Sequence, residues 1–247
     1  MKKILYIFIL FSQFIWAQTP FEKGNEYYQK GNYQEAISQY QSILDKGEES
    51  AEVYFNLGNC FYKLNKVAPA VYNFEKALLL SPNDTEIQNN LAFAQKMAID
   101  DIQEVPQVGF AKLISDFTSS FHFDTWAWIA IVVAFLFLGC FVAYFYAYST
   151  RNKRIFFSGM LVFLFLVVVS VFSGFFEFSR TQNEKPAIVY VDTLTVKSEP
   201  NSSASTAFVL HAGTKVFVLE ALDNFYKIQL ADQKEGWVEK SAVKEIK

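Results

Sequence analysis

The stretch YFNLGNCFYKLNKVAPAVYNFEKALLLSP, residues 54–82, echoes the residues before it at an interval of 34. Gly58 follows Gly24, Phe61 follows Tyr27, Ala70 follows Ala36 and Phe74 follows Tyr40 at that spacing. A fixed period of this size marks a stacked unit of two helices. The small residues Gly24, Ala36, Gly58 and Ala70 let paired helices approach, and the aromatic ones fill the space between units. Gly31-Asn32 and Asn65-Lys66 supply the turn inside each unit. Pro69 suits the first turn of the next helix, where its missing N–H costs little. A third unit starts at Asn83, with Glu86 as a capping-box partner. Gln95 departs from the aromatic position and no second helix follows. Glu86–Asp100 therefore reads as a solvating cap, and two repeats plus a cap is short for a solenoid.

Working outward from the repeats, the centre of the chain is apolar. No charge lies between Asp124 and Arg151, and none between Arg154 and Glu177. Each gap is long enough for a helix to cross about 30 Å of hydrocarbon. Spans are expected at 126–148 and 155–178, both free of ionisable residues. Trp126, Trp128, Tyr144, Tyr146 and Tyr148 sit near the ends of the first span, where aromatic belts form. Arg151, Lys153 and Arg154 place the connecting turn, 149–154, in the cytoplasm. Before the first span, in the linker 101–125, Phe110, Leu113, Ile114, Phe117 and Phe121 share one face of a helix. That face either rests in the membrane interface or belongs to a longer helix entering the span.

The chain opens with Lys2, Lys3, an apolar run Ile4–Phe11 and Ala17, the pattern of a signal peptide over residues 1–17. Both polar regions then lie outside the cytoplasm. From Lys185 the hydrophobic period becomes two. Runs at Ala187–Val191, Thr193–Val196, Ala207–Leu210, Lys215–Leu219, Phe225–Gln229 and Gly236–Glu239 alternate with turn residues. Short strands at this spacing predict a small β-barrel over 185–247.

The residues of 18–100, above all Tyr54-Phe55-Asn56-Leu57-Gly58 through Pro82, resemble the tetratricopeptide repeat family. That resemblance implies a concave groove for a peptide or a partner helix. By register its lining would be Asn25, Tyr28, Asn56, Asn59, Tyr62 and Asn89. The elements Leu194–Pro200, His211–Val216, Phe225–Ile228 and Gly236-Trp237-Val238 resemble the bacterial SH3 (SH3b) family, whose members hold cell-wall peptides or protein segments. Tyr190, Phe225, Tyr226 and Trp237 could line such a groove, although a core role for Trp237 is the stronger expectation.

The expected fold class is a multidomain membrane protein: an all-α repeat solenoid, a two-helix transmembrane hairpin and a small all-β SH3-like barrel. Composition agrees, with 52% hydrophobic and 19% charged residues. A net charge of −3 argues against nucleic acid as a partner. Two cysteines and two histidines are too few for a zinc ribbon or a disulfide framework. No phosphate loop, HExxH helix or GxSxG elbow is present. No enzyme, cofactor or metal is therefore expected. The order of modules resembles the BatE-type proteins of the Bacteroides aerotolerance operons, which are encoded beside von Willebrand A-domain membrane proteins and a MoxR-type AAA+ ATPase. The resemblance implies an inner-membrane scaffold with both polar modules in the periplasm and those A-domain proteins as partners. Envelope tethering through peptidoglycan peptides is the alternative.

Overall fold

The structure, a computed structural model, describes residues 19–102 and 109–246. The expected signal peptide lies outside the described residues, as does part of the linker. By its internal contacts the chain divides into two units. The first runs to Asp101 and adds Ala187–Val216 and Trp237–Lys247; the second holds Ile102–Pro186 and Phe217–Gly236.

Five helices begin the first unit: α1 (Pro20–Gln29), α2 (Tyr33–Leu44), α3 (Ala51–Lys63), α4 (Val67–Leu80) and α5 (Thr85–Gln95). Their starts follow from local chemistry. The Thr19 hydroxyl accepts from the Glu22 N–H at 3.2 Å and the Glu22 carboxylate accepts from the Thr19 N–H at 2.9 Å, a capping box with Pro20 in the first turn. Ser50 caps α3 by accepting from Val53 N–H at 3.2 Å. The third unit starts one residue later than expected. Asp84, not Asn83, is the cap, because its carboxylate reaches the N–H groups of both Glu86 and Ile87. Gly31 and Asn65 turn the chain in the left-handed region, with φ of +78° and +55°.

The repeat spacing becomes contact at two glycines. A Cβ on Gly24 would lie 2.5 Å from the Tyr40 ring, and one on Gly58 would lie 2.7 Å from the Phe74 ring. Tyr40 and Phe74 are each 1% exposed, so neither ring can retreat to solvent. Ala36, Ile37, Tyr40, Ile43, Val53, Leu57 and Cys60 form one buried cluster. A second joins Ala68, Val71 and Phe74 of α4 and Ile87, Leu91 and Ala94 of α5 to Ile188 and Ile246, from the far end of the chain.

Those two isoleucines belong to an antiparallel all-β region. Its strands are β1 (Pro186–Val189), β2 (Thr193–Lys197), β3 (Thr206–His211), β4 (Lys215–Leu222), β5 (Phe225–Gln229), β6 (Glu235–Glu239) and β7 (Val243–Glu245). In the first unit β2 pairs with β3, with Leu194 opposite Leu210, and meets β6 at Lys197–Trp237. β1 pairs with β7, with Ile188 opposite Lys244. In the second unit β4 and β5 form a hairpin with Val218 opposite Ile228. β7 is absent from the sequence reading; three residues are too short to show a period of two. Its pairing with β1 brings Ile188 and Ile246 to the helices.

The second unit also contains α6 (Phe110–Thr118), α7 (Phe123–Tyr146) and α8 (Thr150–Asn183). The last two are long and apolar enough to cross a membrane. α7 starts three residues before the expected span 126–148 and ends two residues short of it, whereas α8 overruns 155–178 at both ends and changes the reading of the turn. Ser149 accepts from the Asn152 N–H at 3.1 Å and starts the helix at Thr150. Arg151, Lys153 and Arg154 are therefore helical, and the connection shrinks to Ala147–Ser149. The expected range 155–178 itself includes Glu177, so the second span is not free of ionisable residues. Glu177 lies inside α8, is 6% exposed, and receives a 2.6 Å hydrogen bond from Arg180 one turn on. Its Oε2 has no partner among the described residues.

Gly58→Ala should destabilise the full-length chain by about 1–3 kcal/mol, the usual cost of overpacking a core. Thermal unfolding would measure it. Ile246→Ala should cost about 2–5 kcal/mol and speed amide exchange in α5, although the substitution lies near the other end of the sequence.

Candidate partner-binding surfaces

The six residues expected to line a repeat groove come from α1, α3 and α5, the first helix of each unit, and they divide into two kinds. Asn25 and Asn56 are brought together across the repeat boundary. Asn25 Oδ1 accepts from the Tyr40 hydroxyl at 2.6 Å and from Asn56 Nδ2 at 3.2 Å. This amide bridge sets one repeat against the next and uses up part of the hydrogen-bonding capacity offered to a peptide. Tyr28 is half-buried and meets Tyr33 edge-on at 5.3 Å. Tyr62 packs half-buried against the α4–α5 core. Asn59 is half-buried and Asn89 is exposed. Neither amide has a hydrogen-bond partner among the described residues. They are the two members of the set best able to serve a ligand backbone.

The first unit also contains a polar joint that the sequence reading missed. The Asp100 carboxylate accepts three hydrogen bonds from the β3–β4 turn: His211 N–H at 2.6 Å, His211 Nδ1–H at 2.7 Å and Thr214 hydroxyl at 2.6 Å. Nearby in sequence, Lys215 Nζ donates to Glu75 at 2.7 Å, and the Glu75 side chain is only 10% exposed. Tyr190 meets Tyr72 of α4 edge-on at 5.8 Å. Lys244 Nζ stands over both rings, 4.0 Å from the Tyr72 centroid and 5.5 Å from that of Tyr190. Gly213 makes the fit possible. Its φ is +92°, and a Cβ there would lie 2.6 Å from Val67 Cγ1. Asp100 and His211 are 111 residues apart. No local pattern could pair them, and His211 reads in isolation as an incidental residue before a turn.

Of the residues expected to line the second groove, Tyr190 is half-buried and packs against Tyr72 and Lys244. Trp237 departs from its expected core role. In β6 the alternation buries Gly236 and Val238 and leaves Trp237 half-exposed on the other face. Phe225 and Tyr226, in β5, are half-buried.

Burial raises the Asp100 carboxyl pKa, but the hydrogen bonds from Thr214 and His211 outweigh it and hold the group below its ordinary 3.8. Burial also pushes the Cys60 thiol up to about 12, which leaves it a packing residue at neutral pH.

Comparison with known families agrees with both halves of this description. Residues 24–65 match the family described as TPR repeat and residues 51–84 the family described as Tetratricopeptide repeat. Residues 192–244 match the Bacterial SH3 domain family. The chain carries tetratricopeptide repeats and a bacterial SH3 domain. It is similar to the Hsp70-Hsp90 organizing protein of Triticum aestivum, 34% identical over 65 residues that make up 26% of this chain and 11% of that protein. It is also similar to human Tetratricopeptide repeat protein 16, 30% identical over 69 residues, 28% of this chain and 8% of that protein. The chain thus spans about a tenth of the length of these relatives. Repeats and SH3 domains are interaction modules, and neither match indicates an enzyme family.

A group whose pKa is lowered on folding adds stability that is complete above its unfolded value and fades as pH falls through the folded one. Asp100→Asn should therefore lower the melting temperature at about pH 7, with the difference from wild type shrinking below about pH 4. Melting curves of both proteins across that range would measure it.

Proposed function

We propose that the protein is a non-enzymatic, membrane-anchored scaffold whose repeat groove binds a protein partner. The observation that carries this reading is the division of labour on the repeats. Contacts with the β region come from Val67, Tyr72 and Glu75 of α4, from the apolar residues of α5 that share a cluster with Ile188 and Ile246, and from Asp100 beyond α5. Asn59 and Asn89, on α3 and α5, keep amides without hydrogen-bond partners among the described residues. One face is used to build the fold, and unspent donors and acceptors remain on the helices that resemblance assigns to ligand binding. The repeat region 18–105 carries a balance of −6, which favours a basic partner surface.

The two long apolar helices support anchoring. Arg151, Lys153 and Arg154, at the start of α8, favour a cytoplasmic position for that end of the hairpin, with repeats and SH3 domain together in the periplasm at the inner membrane. By its resemblance to the BatE-type proteins, the complex served is one of envelope stress tolerance, or aerotolerance, and the partners are von Willebrand A-domain membrane proteins. One observation favours a second reading. Trp237 is half-exposed on β6, an aromatic side chain of the SH3 domain that could hold a peptidoglycan peptide.

Gentle detergent extraction with the tagged full-length chain as bait separates the readings. A-domain membrane proteins should be retained by wild type and retained about thirtyfold less by Asn59→Ala/Asn89→Ala, since each lost hydrogen bond is worth about 1 kcal/mol. Unchanged retention overturns the groove assignment. Co-recovery of cell-wall fragments that is lost in a folded Trp237→Ala variant moves the function to the SH3 domain.

A further inference from the structure

We infer that α6 is a lipid-docking helix that lies on the phospholipid leaflet at headgroup level, at the Phe123 end of the hairpin. Two positions were open for this segment, and the structure removes one. α6 ends at Thr118, the chain breaks helix over Ser119–His122, and α7 starts anew at Phe123. The segment is therefore not a downward extension of the span.

Its placement is set by one side chain. Trp126 is 5% exposed, and its indole N–H donates to the Thr118 carbonyl at 2.8 Å, satisfying a terminal carbonyl of α6. Phe117 and Phe121 close on the same indole, each with its ring centroid 5.4 Å away. On the other side Trp126 Cβ faces Gly174 of α8, where an added Cβ would be 3.2 Å away. The C-terminal end of α6 is thus fastened to the first turn of the hairpin.

The level of that turn follows from length. α7 has 24 residues and at 1.5 Å per residue is about 36 Å long, against about 30 Å of hydrocarbon. Its first turn extends into the headgroup zone, where a tryptophan is at home. α6 is tied to that level.

The rest of α6 has an apolar face that the protein does not cover. Phe110 is 76% exposed, Leu113 66% and Phe117 51%. Lys112 and Asp116, paired at 3.3 Å, occupy the polar side. A nine-residue helix is too short to persist on backbone hydrogen bonds alone and needs something against its apolar side. α7, to which α6 is fastened, also exposes apolar side chains, beginning with Trp128, 67% exposed. Lipid already covers the latter if the hairpin spans a bilayer, and the same leaflet is the occupant that continues onto α6.

The test uses the full-length chain in phospholipid vesicles. Single spin labels at Leu113→Cys, Phe117→Cys and Asp116→Cys, in a Cys60→Ala/Cys140→Ala background, are exposed to oxygen and to a water-soluble nickel chelate. Labels at 113 and 117 should collide with oxygen at least several-fold more than with nickel, and the label at 116 should show the reverse. Equal nickel access at all three sites overturns the proposal. Shielding of 113 and 117 from both reagents also overturns it, in favour of a protein occupant. The unmodified chain provides a second arm should the cysteine-free background misfold. In vesicles containing a diazirine phospholipid, adducts should map to 110–121 as well as to the hairpin. Adducts on the hairpin with none on 110–121 would sink the idea.

Discussion

The first unit depends on the burial of an unfinished solenoid face. Five helices make two pairs and one single helix, α5, with no sixth repeat helix after it among the described residues. Ile87, Leu91 and Ala94 are buried in one cluster with residues of α4 and with Ile188 and Ile246, each nearly fully buried. Burying such side chains contributes roughly 1.5–3 kcal/mol apiece. A short repeat array, marginal by itself, gains its missing layer from strands near the other end of the sequence.

Polar groups then fix the orientation of this packing. Apolar contact is non-directional, whereas a carboxylate receiving three hydrogen bonds admits one arrangement. Asp100 supplies that constraint and Lys215–Glu75 a second. Both acidic side chains are mostly buried, so losing a partner would leave an unsatisfied charge, which costs more than the bond is worth when made. The joint uses the second helix of the repeat pair. It consumes Tyr190, which otherwise resembles a ligand-binding aromatic, and keeps Asn59 and Asn89 available.

In the second unit the same logic applies to lipid. α7 and α8 expose most of their large apolar side chains, as helices surrounded by hydrocarbon do. The few residues they bury, Trp126, Ser170, Ser173 and Glu177, lie toward one end. Trp126 there serves as a hub for α6, α7 and α8. The aromatic belt visible in the sequence is thus partly a structural joint: Trp126 turns inward, and Trp128 faces out.

The sequence by itself determined whatever rests on periodicity and local bonding. The interval of 34 placed Gly24 under Tyr40 and Gly58 under Phe74. Charge-free runs located the hairpin, and alternation located six of the strands. These features are legible because neighbours in the chain make the contacts. Only the tertiary structure decided what depends on distant partners. It set Asp100 against His211 and Thr214, and Ile246 against α5. It turned Tyr190 inward and Trp237 half outward, and tied Asn25 to Asn56. It buried Glu177 near the end of the second span. The physical reason is that a side chain carries no mark of its long-range partner. Burial of complementary surfaces selects that partner only once the chain has folded.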